Sequence, residues 1–168
     1  MRSTLLALVV ASLAAPVTAQ SATTDDRIAR LRALAGELGA QTASYVEAAT
    51  TDAAAPPTAF APGAPFVDDA QTFANLARRV ARDLDAEQGP ADLACIYRGM
   101  AAELSQQLDQ LREADYAGAQ ITSLTALSIV FRDAVEIDPN QIGVEPAQAA
   151  CPADPDLRDY EPYFTEQP

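Results

Sequence analysis

The chain has no lysine, no histidine and no tryptophan, and its 168 residues include only two cysteines and two methionines. Each absence removes chemistry. Without histidine there is no serine–histidine or cysteine–histidine nucleophile pair. There is also no His-ligated zinc, no Glu-x-x-His di-iron pattern and no Cys-x-x-Cys-His haem attachment. Without lysine there is no Schiff-base nucleophile and no phosphate-loop lysine. Paired carboxylates remain available among the 24 Asp and Glu residues, but none is set apart by its neighbours. The sequence therefore predicts no enzyme, no cofactor and no metal site. Asp138, Asn140, Gly143 and Glu145 come nearest to a calcium loop, yet their spacing departs from the EF-hand pattern at several positions.

Positive charge is also scarce: 11 arginines face 24 carboxylates, for a formal charge of −13. Such a chain is repelled by nucleic acid and by anionic membrane surfaces. Its charge favours solubility, a basic partner or loose cation binding. Long apolar runs are short as well. Leu5 to Ala15 is an apolar stretch of 11 residues, too short to cross a bilayer. Arg2 precedes it and Val17-Thr18-Ala19 follows, the pattern of a secretory signal peptide over residues 1–19 with Gln20 as the mature start. The mature chain then holds 10 arginines against 24 carboxylates, a formal charge of −14. No later segment is long and apolar enough to span a membrane, so the expected location is periplasmic or secreted.

Alanine is what the chain has in quantity, with 37 residues. Alanine favours helix but buries little area, so the core is modest. Four helices are legible. Helix 1 is expected over 24–50, started by a Thr23/Asp26 capping pattern and faced by Ile28, Leu31, Ala35, Leu38, Thr42, Tyr45 and Ala49. Residues 51–67, with Pro56, Pro57, Pro62 and Pro65, read as a proline-rich loop that Phe60 and Phe66 pin to the bundle. Helix 2 is expected over 69–87, capped by Asp68 and Gln71, with Phe73, Leu76, Ala77, Val80 and Leu84 inward. Arg78, Arg79 and Arg82 read as a solvated face with local ion pairs near Asp83, Asp85 and Glu87.

Helix 3 is expected over 90–114, with Pro90 at its first position. Leu93, Ile96, Tyr97, Met100, Leu104, Leu108 and Leu111 form its apolar stripe. A short turn at Asp115–Gly118 sends helix 4, over 117–137, back antiparallel. Ile121, Leu124, Leu127, Phe131 and Val135 are its inner face, widened by Ile129 and Val130. Asp138-Pro139 closes helix 4, and residues 139–168 hold six prolines and no sustained period. Tyr160, Tyr163 and Phe164 lie there among acids, an arrangement that fits docking on the bundle or an acidic-aromatic binding segment.

Two cysteines in an exported chain point to one disulfide, Cys95–Cys151. An antiparallel helix 4 ends at the pole where helix 3 begins, and Cys151 is within reach of that pole. On the chain-entropy model a loop of that length is worth about 4 kcal/mol.

The sequence thus predicts an all-α fold: an antiparallel four-helix bundle with a proline-rich loop between helices 1 and 2 and an irregular, disulfide-tethered C-terminal tail. The bundle domain occupies 20–140 and the tail 141–168. The function expected is that of an exported, non-catalytic helical protein acting through protein–protein contacts in a structural, adaptor or chaperone-like role. The alternative is a small-molecule binder with an apolar pocket between helices 3 and 4, lined by Tyr97, Met100, Leu104, Leu127 and Phe131. A carboxylate enzyme requires two acids converging in a cleft with raised pKa values.

Overall fold

Thr23 opens the first helix, as its spacing to Asp26 predicts. The Thr23 hydroxyl accepts the Asp26 N–H at 3.2 Å, and the Asp26 carboxylate accepts the Thr23 N–H at 3.1 Å. This reciprocal pair satisfies two N–H groups that the helix itself leaves open. The hydrogen bond from the Thr23 side chain holds the Asp26 carboxyl below its usual pKa, reinforced by the one from the Thr23 backbone. In the computed structural model, which describes residues 23–137, the helices are α1 (Thr24–Thr51), α2 (Pro65–Ala86), α3 (Ala91–Glu113) and α4 (Ala117–Glu136). The expected signal peptide, the calcium-like segment, Cys151 and the tail lie outside the described residues.

α2 begins four residues before the expected position. Pro65 occupies its first turn, where a missing N–H costs nothing, and Ala64 precedes it without a side-chain cap. The proposed Asp68/Gln71 cap is therefore inside the helix. Phe66 and Val67 become fully buried helical residues rather than parts of a loop. Similarly, Pro90 sits just outside α3 instead of at its first helical position. Between α2 and α3 the left-handed residue is Gln88, at φ 56°. The Gly89 N–H returns to the Leu84 carbonyl at 2.7 Å. A Cβ on Gly89 would meet that carbonyl at 3.2 Å, which is the close approach that suits glycine here.

The described residues form an all-helical bundle in which α1 packs on α2 and α4, and α3 packs on α2 and α4. Thr24, at the start of α1, hydrogen-bonds Glu87 just past the end of α2. Tyr45, late in α1, stacks edgewise on Phe66, early in α2. Arg98 pairs with Asp85, while Arg78 donates to Ser105. Ser123 donates to Gln110 at 3.0 Å. A Cβ on Gly39 would lie 3.7 Å from that of Phe131, so α1 and α4 approach closely there.

One apolar cluster runs through all four helices, with Phe73 of α2 set edge-on to Phe131 of α4 at 5.3 Å. The inward residues expected of α2 are all buried, and so are those of α3 except Ile96. Ile96, Ile129 and Val135 are 37%, 45% and 46% exposed, which corrects their assignment to the inner faces. In α4 the inward arc is instead filled by Gln120, Ser123, Leu124, Leu127, Val130, Phe131 and Ala134. Val135 is one residue past Ala134, about 100° further around the helix.

The crossover 52–64 is held at both ends of its path. Tyr45, Phe60 and Phe66 form a trio with ring centroids 5.2 to 5.5 Å apart; Phe60 pins the crossover as expected, whereas Phe66 is part of α2 and belongs to the surface it is pinned to. Arg112 of α3 donates to the Phe60 carbonyl at 3.2 Å. Nearby, α4 starts without a side-chain cap. Its first N–H groups are taken by the crossover: Ala117 donates to the Ala55 carbonyl and Gly118 to the Ala53 carbonyl, both at 2.9 Å. Gln120, only 1% exposed, completes the joint. It accepts the Thr58 N–H at 2.9 Å and donates to the carbonyls of Thr58 and Leu111.

A Cβ at position 118 would meet the Ala53 carbonyl oxygen at 3.0 Å and the Tyr116 ring at 3.2 Å. Because the nearest obstacle is backbone, the Gly118→Ala variant is expected to lose about 1–3 kcal/mol of stability. The urea midpoint reports this, and an unchanged midpoint would show that the crossover moves aside freely.

Candidate functional site

Charged side chains gather where α1 and α3 begin and α2 ends. Along α2, Arg79, Arg82, Asp83 and Ala86 recur at steps of three and four, so they share a helical face. With Arg27 and Asp85 they line a surface groove of about 670 Å³. Arg27 pairs with Asp83 across the α1–α2 contact, and Arg98 of α3 pairs with Asp85. These pairs connect neighbouring helices, whereas the sequence suggested local pairing within α2. Partial exposure limits each to under about 1 kcal/mol. Arg78 departs further from that expectation. It is 4% exposed and donates to Asn75 and Ser105, so it belongs to the α2–α3 interface and not to a solvated face.

The five residues expected to line a pocket between α3 and α4 are Tyr97, Met100, Leu104, Leu127 and Phe131. All five are buried within the common core. Tyr97 is exceptional among them. Its ring is fully buried and its hydroxyl makes no hydrogen bond, an uncommon state for a buried phenol. Burial raises the Tyr97 pKa, opposed by the nearby Arg32 guanidinium. Arg32 donates to the Ile137 carbonyl at the end of α4, while its own Nε is buried and unpartnered. α1, α3 and α4 thus bring an arginine and a phenol together beside apolar side chains. Sequence reasoning named Tyr97 but missed Arg32, which follows the inward Leu31 and gives no periodic signal of its own. It also missed Gln120, although a glutamine three and four residues before Ser123 and Leu124 falls on the inward arc of α4.

The exposed large apolar residues of the described chain are Ile96, Tyr116, Ile129 and Val135. Two are on α4, one is on α3 and one is in the turn between them. No charged residue occurs from Ala117 to Phe131, so the outward side of α4 presents Thr122, Thr125 and Ile129 over most of its length. Among the described residues, no helix is long and apolar enough to cross a membrane. No group of three or more Asp, Glu, Cys or His side chains there is placed to hold a metal ion. Cys95, half-buried in the second turn of α3, is not a free thiol.

The unpartnered Tyr97 hydroxyl makes a direct prediction. Replacing a buried phenol that has no hydrogen bond by phenylalanine removes a desolvation penalty without breaking a contact. Tyr97→Phe is expected to keep or raise stability, by up to about 1 kcal/mol. A clear drop in melting temperature would reveal a partner for the hydroxyl in solution. No protein-family model matches the chain, and comparison with curated proteins and with solved structures yields no match.

Proposed function

We propose that the chain is an exported, non-catalytic helical protein that works through protein–protein contacts, with the α3–α4 side as its contact surface. The observation that carries this reading is the placement of the exposed apolar residues. Ile96, Tyr116, Ile129 and Val135 all belong to α3, α4 or the turn between them. On a chain with a formal charge of −13, a helix side that carries no charge from Ala117 to Phe131 and displays Thr122, Thr125 and Ile129, with Val135 beyond it, is a place where a partner gains by excluding water. A structural, adaptor or chaperone-like role suits such a surface.

The scaffold belonging to this reading is an antiparallel four-helix bundle with a proline-rich crossover. Several contacts of opposite sense support it: Thr24 with Glu87 and Tyr45 with Phe66, Asp85 with Arg98 and Arg78 with Ser105. A Cys95–Cys151 disulfide ties the tail to the start of α3. Its support is that Cys95 is not a free thiol and that the sequence holds one other cysteine.

A second reading, a small-molecule binder, is favoured by one observation. The Tyr97 hydroxyl and Arg32 Nε are buried polar groups without partners, beside the apolar side chains expected to line the pocket. A ligand with an acceptor group attached to an apolar body satisfies both.

Two experiments test this section. Thiol labelling of the unreduced, denatured mature protein is expected to modify neither cysteine. Cys95→Ser is expected to lower thermal stability by several degrees in an oxidised sample; full labelling, or an unchanged transition, removes the disulfide. The second experiment is affinity capture from the exported fraction with the wild-type chain and with Ile129→Asp/Val135→Asp as baits. A partner retained by the first and lost from the second is expected. Equal recovery on both baits rules out the α3–α4 surface.

A further inference from the structure

The outward side of α4 carries a second regular stripe, distinct from the one that faces the core. Thr122, Thr125, Ile129, Arg132 and Glu136 are all exposed, and with the half-buried Gly118 they recur at alternating steps of four and three. That spacing sets them in one line about 27 Å long, with the period that a second helix packs against. α1 and α3 pack on the inward side of α4, and the line stays open to solvent. No charged residue occurs on it before Arg132. The Thr125 hydroxyl donates to the Ile121 carbonyl at 2.8 Å, so covering this residue strands no donor. The Tyr116 ring, 52% exposed, lies beside Gly118, where a Cβ would meet it at 3.2 Å, and it extends the apolar surface.

Charge decides what fits there. A basic partner is drawn to the acidic parts of a chain of formal charge −13, not to its uncharged helix side. A second copy is repelled over most of the surface, and the outside of α4 is where two copies can meet without bringing like charges together. The stripe matches itself when the helices run antiparallel. Thr125 then faces the partner's Ile129 in two central layers. Thr122 faces the partner's Arg132, and Gly118 the partner's Glu136, in the outer layers. Each charged end lies over the uncharged end of the other copy, and Glu136 lands at the positive end of the partner's helix, where Gly118 leaves room for it. Parallel pairing would instead set Arg132 on Arg132 and Glu136 on Glu136.

We propose that the outward stripe of α4 is the interface with a second copy of this chain, packed antiparallel about a two-fold axis that passes between Thr125 and Ile129. The proposal rests on the contact-surface reading given above and names its partner. A single helix face lies at the small end of protein interfaces, so the dimer is reversible and its population is set by concentration.

Sedimentation equilibrium of the mature chain over a wide concentration range tests it. The weight-average mass is expected to climb from that of one chain toward twice that value. Raising salt from about 0.01 M to about 0.15 M is expected to tighten the dimer, because screening relieves the repulsion between net charges. Ile129→Asp and Thr125→Arg, both at exposed positions, are each expected to weaken association at least tenfold, and either serves if the other fails to fold. An equimolar mixture of the two variants is expected to recover a dimer, since the antiparallel register sets each new charge against its opposite. A chain that stays monomeric at every concentration overturns the second copy as occupant. So does association that weakens as salt rises. A dimer that persists unchanged in both variants overturns the α4 face, and a mixture no tighter than its components overturns the antiparallel register. The contact-surface reading fails separately: it falls only if the affinity capture above recovers the same proteins on both baits and the dimer ignores both substitutions.

Discussion

The first two N–H groups of α4 hydrogen-bond to carbonyls of the α1–α2 crossover, and much of the arrangement depends on those bonds. A helix must dispose of its leading donors, and α4 has no serine, threonine or aspartate at its cap to do so. Ala53 and Ala55 supply the acceptors from another part of the chain. The crossover is thereby fixed in space. Its fixed path sets Phe60 against Tyr45 and Phe66, lets Gln120 hold Thr58, and brings Arg112 to the Phe60 carbonyl. A stretch containing Pro56, Pro57 and Pro62 cannot hydrogen-bond to itself as a helix does. It is ordered because it completes a helix that would otherwise begin badly.

The opposite pole is built from different material. There, long charged side chains connect the helices: Arg27 to Asp83, Arg98 to Asp85, Thr24 to Glu87 and Arg32 to the Ile137 carbonyl. Arginine is the only strong cation available to this chain, and its several donors allow one residue to serve more than one partner. Arg78 shows the limiting case. It is buried between α2 and α3, with Asn75 and Ser105 as acceptors, where a lysine point charge would be harder to satisfy.

The sequence made the helices legible because their inward residues recur at three and four. The Thr23/Asp26 cap and the inward residues of α2 match the structure closely. Periodicity misled where the helix was apolar on several sides. In α4 the run Leu127 to Phe131 offers little contrast between faces, so periodicity alone points Ile129 and, further on, Val135 inward, whereas Gln120 and Ser123 are buried there. Propensity misleads at the start of α2, where Pro65 looks like one more helix-breaking proline of the loop although it initiates the helix. The groove and the Tyr97–Arg32 neighbourhood were largely illegible for another reason. Arg27 is 52 residues from Arg79 in sequence, and Arg32 is 65 from Tyr97. Only the packing of α1 against its neighbours brings them together.

The two poles also differ in what can loosen them. Backbone hydrogen bonds and edge-on rings are nearly indifferent to electrolyte, whereas partly exposed ion pairs weaken as salt screens them. Gln120, Phe60 and the Ala53 and Ala55 carbonyls thus define an end of the molecule that stays closed across ionic conditions. Arg27, Asp83, Asp85 and Arg98 define an end whose side-chain links weaken as salt rises, while Ile28, Leu84 and Leu93 beneath them stay in the common core. The two poles therefore differ in how much of their margin depends on the medium: nearly none at the crossover, and up to about 1 kcal/mol per pair at the arginine end.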